Sequence, residues 1–246
     1  MNDAGTLFYQ FTGFTAWRLA VGVPLDGITK REILENKTTL SILRATPFRE
    51  LGRGFQPNAF KYLTSSYLQL GSTWVASRIT PTELPPVVRG VMFGILTSSM
   101  EASVKNVFNV LVTRFIQGEG WSMVWKEGPA LLTKGLFPAL LHRGFSSALY
   151  FGLYEPLHKK YPQHTFAVGF EVGITQVVIT SPFYQAAVLQ QAKPTVPPLP
   201  ESLNELFKRI FKKGLAIRGI APRLVHSALT SGPLMYLLEK HQLIHR

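Results

Sequence analysis

A short phrase that recurs three times along the chain constrains its fold more than any other feature. In each copy a basic residue and a glycine are followed by two spacers and a proline, and four residues later by another base. The copies run from Arg53, Gly54 and Pro57 to Lys61, from Lys134, Gly135 and Pro138 to His142, and from Arg218, Gly219 and Pro222 to His226. The prolines at 57, 138 and 222 are 81 and 84 residues apart. This spacing indicates three similar units in one chain.

Apolar segments of membrane-spanning length accompany the phrase. A spanning helix needs about 20 predominantly apolar residues, and four segments of low charge approach that length: 85–104, 137–157, 164–185 and 221–238. The pattern predicts six long helices, two in each unit. Their expected spans are 7–32, 57–78, 85–114, 137–158, 164–190 and 221–242.

The repeat also predicts how the helices are arranged. One unit of this kind cannot bury its own apolar faces, so three units should close around a common axis. We therefore expect an all-α membrane protein with six transmembrane helices around a central cavity. It should form one domain, 1–246, of three repeats: 1–82, 83–162 and 163–246. Two glycine pairs, Gly90 with Gly94 and Gly169 with Gly173, have the spacing of close helix contacts, although a chain with 20 glycines produces such pairs by chance.

The net charge of +12 is compatible with a nucleic acid or with an anionic membrane surface. The bases cluster at the ends of the apolar segments, as Lys159 and Lys160 do, and this placement favours lipid headgroups. No nucleic-acid-binding motif accompanies them. We expect no nucleic-acid partner.

The sequence offers little support for catalysis or metal binding. Cysteine is absent, which excludes disulfides and thiolate metal sites. There is no phosphate-binding glycine loop and no serine in a nucleophile elbow. His241 and His245 are two metal ligands at most. We predict neither an enzyme nor a cofactor, and the first residues do not have the pattern of a cleaved presequence.

The run from Glu127-Gly128 through Lys134-Gly135-Leu-Phe-Pro138 to Tyr154-Glu155 resembles the mitochondrial carrier family, the solute carrier family 25 type. The resemblance extends over essentially the whole chain. It implies a threefold pseudosymmetric bundle of six tilted helices with short amphipathic helices on the matrix side. It also implies the inner mitochondrial membrane and exchange of small anionic metabolites or nucleotides.

The chain departs from this family at the residues that close the carrier. Members end their odd-numbered helices with a proline, an acid and a base that form a gate on the matrix side. Here Pro24, Asp26 and Pro182 remain. The other acid positions hold Asn109 and Tyr184, and the three base positions hold Thr29, Val112 and Ala187. At the opposite gate the acids Glu155 and Glu239 remain, but their bases are His158 and Gln242.

Other charges inside the predicted helices offer a substitute for the missing gate. Threefold symmetry places Arg18 and Glu101 at one level with Gln176, so Arg18 and Glu101 are expected to pair across helices. Two local pairs at i,i+4, Asp26 with Lys30 and Glu101 with Lys105, offer an alternative that needs no substrate. Glu171 has no base near it in sequence. It must find a partner across the bundle or take up a proton.

The resemblance also implies sites for ligands. It makes Lys61, His142 with Arg143, and His226 substrate contacts in the cavity, where bases suit a carboxylate or phosphate. The alternative is a vestigial cavity in which they pair with Glu171 or Glu101. The three base-glycine pairs, Arg53-Gly54, Lys134-Gly135 and Arg218-Gly219, resemble the family's cardiolipin sites, since an exposed helix N-terminus and a base attract phosphate. The alternative is a turn at the helix start whose base extends its charged end to the membrane surface without a specific lipid.

Two functions are compatible with the sequence, and the first is the favoured one. The loss of gate charges favours a degenerate carrier-fold protein that has lost transport and serves as an accessory subunit of a larger inner-membrane complex, for example of the respiratory chain. Its partners would be cardiolipin and other membrane subunits. The bases that persist at the cavity level favour a working transporter of a small anion or nucleotide. A basic soluble helical protein is disfavoured by the length of the apolar segments.

Overall fold

The protein is represented by a computed structural model that describes residues 3–192, 208, 210–212 and 218–240. Within these residues the structure contains helices and turns and no strand. The long helices are α1 (Asp3–Glu35), α4 (Phe55–Ile79), α5 (Pro86–Ile116), α8 (Leu136–Lys160), α9 (Thr165–Gln191) and α10 (Ile220–Lys240). The short helices are α2 (Thr39–Ala45), α3 (Phe48–Leu51), α6 (Ser122–Glu127) and α7 (Ala130–Thr133), and a 3₁₀ turn, Pro162–His164, precedes α9. The all-α prediction is confirmed for the described part of the chain.

The recurring base-glycine phrase marks the start of every second long helix. Gly54, Gly135 and Gly219 have φ angles of 84°, 61° and 71°, in the left-handed region that glycine adopts without steric cost. Helices α4, α8 and α10 begin directly after them. The phrase is therefore a turn that reverses the chain and starts the return helix of each unit.

The six long helices form a closed ring. Each packs against the next in sequence, and α10 packs back on α1. At the closing contact, a methyl group added to Gly219 would lie 2.9 Å from the Thr29 side chain of α1. The equivalent methyl group at Gly135 would lie 2.9 Å from the backbone oxygen of Ala187, and at Gly54 3.2 Å from that of Val112.

These three contacts are equivalent by position in the repeat. Gly54, Gly135 and Gly219 pack on α5, α9 and α1, respectively, which are the first long helices of the next unit in the ring. The residues they contact, Val112, Ala187 and Thr29, stand where the family has a gate base. The glycine contacts there leave little room for a long side chain. The ring therefore closes with backbone packing where a carrier of the usual kind has ion pairs.

By length and composition, one helical segment of the described chain qualifies as a membrane span, Pro162–Gln191. A second qualifies only when Pro86–Ser99 and Val104–Ile116, bent by 60° relative to each other, are counted together. Just before the bend, the hydroxyl groups of Thr97 and Ser99 donate to carbonyl oxygens one turn earlier, a type of bond that often accompanies helix bending. The prediction of six spans is not confirmed.

The distribution of side chains is nevertheless unusual for a water-soluble protein. Phe60, Trp74 and Phe145 are at least half exposed on the long helices, whereas Asn106 and Gln185 are fully buried. Many other large apolar side chains share this exposure, and many other polar ones share the burial. A soluble domain rarely exposes so much apolar surface unless something covers it.

Glycines allow the two helices of the second unit to approach closely. A methyl group on Gly90 would overlap the backbone of Phe151, and one on Gly94 would overlap the backbone of Ser147. We expect Gly94→Ala to lower the free energy of unfolding by about 1–3 kcal/mol, since two backbones must separate. Gly71→Ala, where the methyl group meets nothing within 4 Å, should leave stability unchanged or raise it slightly. Thermal unfolding of the two variants in detergent tests this, and equal melting temperatures would contradict the contact.

Several sequence predictions fall outside the described residues. The sequence of the third unit also predicts a proline-rich loop, Pro194 to Pro200, and an amphipathic helix over Ser202 to Lys213. The loop, the two terminal histidines, His241 and His245, and most of that helix lie outside the described residues. Of that helix, 208 and 210–212 are described as helical, and Ile210 is fully buried.

Candidate functional site

A cavity of about 200 Å³ lies at the centre of the ring. All six long helices contribute to its wall. The four side chains predicted as substrate contacts line it: Lys61, His142, Arg143 and His226. Of the three residues that threefold symmetry puts at one level, Arg18 and Gln176 line it as well, and Glu101 does not.

Positive charge dominates this cavity. Histidines and tyrosines aside, the basic and acidic side chains of its wall are Arg18, Asp26, Lys61, Lys105, Arg143 and Arg223. Lys30 and Glu101 lie behind them, each paired with a wall residue. Among the described residues, six basic side chains thus meet two carboxylates, an excess of four basic groups. Such an excess is costly away from water.

Asp26 is the centre of the main ionic cluster. Its carboxylate lies 2.6 Å from the Lys61 Nζ atom on α4 and 3.1 Å from the Lys30 Nζ atom one turn further along α1. The local pair with Lys30 is thus present, as the i,i+4 spacing predicted. Lys61 is buried and joined to Asp26, not to Glu101 or Glu171 as the vestigial-cavity reading had it.

Polar side chains on two other helices extend this cluster across the ring. The Tyr184 hydroxyl of α9 donates to the Asp26 Oδ1 atom at 2.9 Å. The Lys30 ammonium donates to the Asn109 Oδ1 atom of α5 at 3.2 Å. Asp26, Asn109 and Tyr184 occupy the three acid positions of the family's matrix gate. Three odd-numbered helices are therefore linked at this level by one carboxylate and two neutral partners.

Two of the helices that carry this cluster, α1 and α9, run unbroken through a proline. Pro24 and Pro182, the two gate prolines that remain, lie inside α1 and α9. A further bond joins α9 to α5 on the side of the long connections, where the Gln191 amide donates to the Asn106 Oδ1 atom at 3.0 Å. Hydrogen bonds between the odd-numbered helices thus continue from Asp26 and Tyr184 to Asn106 and Gln191.

The predicted pair between Arg18 and Glu101 does not form. Arg18 donates to Gln69 at 2.9 Å and to Ser66 at 3.2 Å, both on α4. Glu101 pairs with Lys105 on its own helix and accepts a hydrogen bond from Ser72. The short i,i+4 distance within α5 satisfies Glu101 without Arg18, and Glu101 does not line the cavity.

Arg223 is the functional candidate that the sequence reasoning missed. It lies one residue after the third repeated proline, and its guanidinium carbon stacks 4.3 Å from the centre of the Tyr184 ring. The Nη2 atom donates to the His142 Nε2 atom at 3.0 Å. The buried Nη1 atom has no hydrogen-bond partner among the described residues. The sequence signal that could have identified it is its position directly after a repeated proline, Pro222.

Arg143 is the second cation of the cavity that lacks a partner. It lines the cavity and forms no hydrogen bond or ion pair with a described residue. Its neighbour His142 is already engaged by Arg223. His226 lies 3.3 Å from the Tyr62 hydroxyl and packs edge-on against that ring. The two arginines thus retain free donors while both histidines are occupied.

The opposite end of the ring holds the remains of the second gate. Glu155 on α8 pairs with Arg89 on α5 and lies 3.5 Å from Lys159. The Tyr154 ring is fully buried and stacks against His158. The Glu239 side chain lies outside the described residues. The acid of the second unit is thus held by a base on the neighbouring helix, a partner that the family pattern did not indicate.

The three base-glycine pairs differ in the hydrogen-bond donors that they leave available to a lipid headgroup. Lys134 is buried and pairs with Glu127. The Gly219 amide donates to the Glu32 carboxylate at 2.7 Å. Arg53 is half exposed, with Glu50 at 3.8 Å. Carboxylates of the chain thus occupy donors in the second and third units, and Arg53 is the base among these with an exposed side chain and only a long contact.

Glu171 does not belong to the cavity. It is exposed on α9 and does not line the cavity. The prediction of a cavity charge is wrong at this position because the neighbouring glycines fix the opposite face of α9 against α10. Its carboxylate has no hydrogen bond or ion pair within the described part of the chain.

Comparison with known proteins gives one partial similarity. The chain is 29% identical over 97 residues to "Solute carrier family 25 member 53" of Homo sapiens. The aligned stretch covers 36% of this chain and 32% of that protein, so the match spans about a third of the relative's length. No protein-family model matches the chain.

Proposed function

We propose that the protein is a carrier-fold membrane protein whose central cavity binds and transports a small anion. The excess of four basic side chains over carboxylates at the cavity is the observation that carries this proposal. An anion that bridges Arg143 and Arg223 supplies the missing negative charge. Arginine suits this role because its planar donors match carboxylate and phosphate oxygens.

The size of the cavity favours a small ligand. Its volume of about 200 Å³ lies below the roughly 300–1,000 Å³ of sites that enclose drug-sized molecules. A phosphate ion or a short dicarboxylate is compatible with this volume, and a nucleotide is disfavoured.

The membrane location rests on two observations. The outer faces of the long helices expose many large apolar side chains while polar ones line the inside, as expected of a bundle in lipid. The partial similarity is to a protein named as a solute carrier, which favours a carrier over an enzyme. We place the protein in the inner mitochondrial membrane, as the family resemblance implies, with anionic lipid bound near Arg53.

The accessory-subunit hypothesis has weaker support from the cavity. A cavity that has lost its ligand should balance its charges internally, as Glu101 does for Lys105. Within the described part of the chain, Arg143 and Arg223 have no such acid. The polar cluster around Asp26 also links the odd-numbered helices where the gate ion pairs are missing. These bonds stabilise a closed state, which alternating access requires.

Anion-dependent stability tests the proposal directly. We expect the melting temperature of the detergent-solubilised protein to rise with phosphate or a four-carbon dicarboxylate, since a ligand that binds only the folded state stabilises it. Chloride at equal ionic strength is the control. Uptake of the same labelled anions into cardiolipin-containing liposomes then separates transport from binding. If neither phosphate, dicarboxylates nor nucleotides raise the melting temperature or enter the liposomes, the proposal is overturned in favour of the accessory role.

A further inference from the structure

The outer face of α9 carries a charge where a membrane helix normally presents apolar side chains. Glu171 is exposed in Pro162–Gln191, which within the described residues is the segment that qualifies as a span without a break. Phe166, Val178 and Ile179 on the same helix are each half exposed. At a rise of 1.5 Å per residue, Glu171 lies about 9 Å from the first residue of α9. With α9 centred in a hydrocarbon layer of about 30 Å, Glu171 lies a few ångströms inside that layer, where an acid costs free energy unless it finds a partner.

The helix cannot rotate to bury this charge. Gly169 packs on Met235 and Ser231 of α10, and a methyl group on Gly173 would lie 2.7 Å from the Ser227 Oγ atom. With 3.6 residues per turn, Glu171 lies roughly 180° from the midpoint of the two glycines. Any rotation that moves Glu171 inward would separate these backbones from α10. The exposure of Glu171 is therefore a consequence of tight packing on the other side.

The residues around Glu171 leave room for another helix. Ala167 and Thr175, one turn to either side, are both exposed, so small side chains flank the acid along one stripe. In membranes, small residues let helices approach, and a polar side chain between them supplies an interhelical hydrogen bond. The stripe alone would be weak evidence, but the unpartnered carboxylate at its centre specifies the charge of what binds.

We infer that this face of α9 docks a transmembrane helix of another protein that presents a lysine or arginine at the depth of Glu171. A second copy of this chain is disfavoured, because a symmetric contact between two α9 helices places one Glu171 beside the other, and like charges repel. This inference requires the proposed membrane location but not anion binding.

A designed peptide provides a probe for this surface. Because the chain contains no cysteine, Gln163→Cys introduces a single labelling site at an exposed position beside α9. The probe is a 23-residue leucine-alanine helix, long enough to span a bilayer, with one lysine at the matching depth. Energy transfer in phosphatidylcholine liposomes measures its association. Matched probes carry leucine or glutamate in place of the lysine.

We expect the lysine probe to bind the protein at least about fivefold more tightly than the leucine probe, the scale of one interhelical polar contact. Glu171→Gln should remove most of this preference, and Glu171→Lys should transfer it to the glutamate probe. Val225→Lys, at a half-exposed position on α10, is a control that should leave the lysine preference intact. The anion-dependent melting temperature should stay unchanged in Glu171→Gln, which separates this test from that of the cavity.

Equal binding of the lysine and leucine probes would overturn the inference, as would a lysine preference that persists in Glu171→Gln. A preference for the lysine probe that disappears when phosphatidylethanolamine is added would assign Glu171 to lipid amines and also overturn it. Preferential binding between copies of the chain, with donor and acceptor labels on the same protein, would replace the second protein by a homodimer.

Discussion

Asp26→Ala should destabilise the protein by about 3–5 kcal/mol, the usual cost of removing one partner from a buried ion pair. The substitution leaves two buried ammonium groups, on Lys30 and Lys61, without their carboxylate. It also removes the hydrogen-bond acceptor of the Tyr184 hydroxyl. Three helices therefore lose contacts at once. Chemical unfolding in detergent, followed by helical circular dichroism, measures the change.

Two further variants determine whether the charge is the cause. Glu50→Ala removes a half-exposed acid with only a 3.8 Å contact to Arg53, and should cost less than about 1 kcal/mol. Asp26→Ala combined with Lys61→Met should recover part of the loss, because one uncompensated charge is then gone. A double variant as unstable as the sum of its two single variants would show that Asp26 and Lys61 do not interact.

The helices could be predicted from the sequence because the repeat carries local signals. Pro57, Pro138 and Pro222 lie in the first turns of α4, α8 and α10, where proline is tolerated. The left-handed glycine before each helix fixes its start. These signals depend on neighbouring residues alone. The observed helices accordingly extend only one to four residues beyond most predicted ends.

The contacts of the site were harder to predict because they join residues far apart in sequence. Asp26 and Tyr184 are separated by 158 residues, and neither residue type indicates in the sequence that the other is its hydrogen-bond partner. A search for lost charges also overlooks neutral substitutes: Asn109 and Tyr184 form hydrogen bonds where the family has acids. The predicted pair between Arg18 and Glu101 was wrong because Glu101 forms its ion pair with Lys105 on the same helix.

Arg223→Gln should weaken phosphate or dicarboxylate binding about 10- to 100-fold, since hydrogen bonds between charged groups contribute about 1.5–3 kcal/mol. The same variant should be as stable as the wild type without anion, or more stable. It removes one of the uncompensated cations and leaves Asp26 with both of its lysines. Melting temperatures measured across a series of anion concentrations give both quantities from one experiment.

Weaker anion binding without a loss of stability distinguishes a binding residue from a structural one. Arg114 is the matched control, because it is buried and already paired with Glu127 at 2.9 Å and Glu119 at 2.8 Å. Arg114→Gln should lower stability and leave the anion response in place. If Arg223→Gln lowers stability to the same extent and keeps the anion response, Arg223 serves packing against Tyr184 and the ligand binds elsewhere. Loss of the anion response with unchanged stability would place the bound anion on the Arg223 guanidinium.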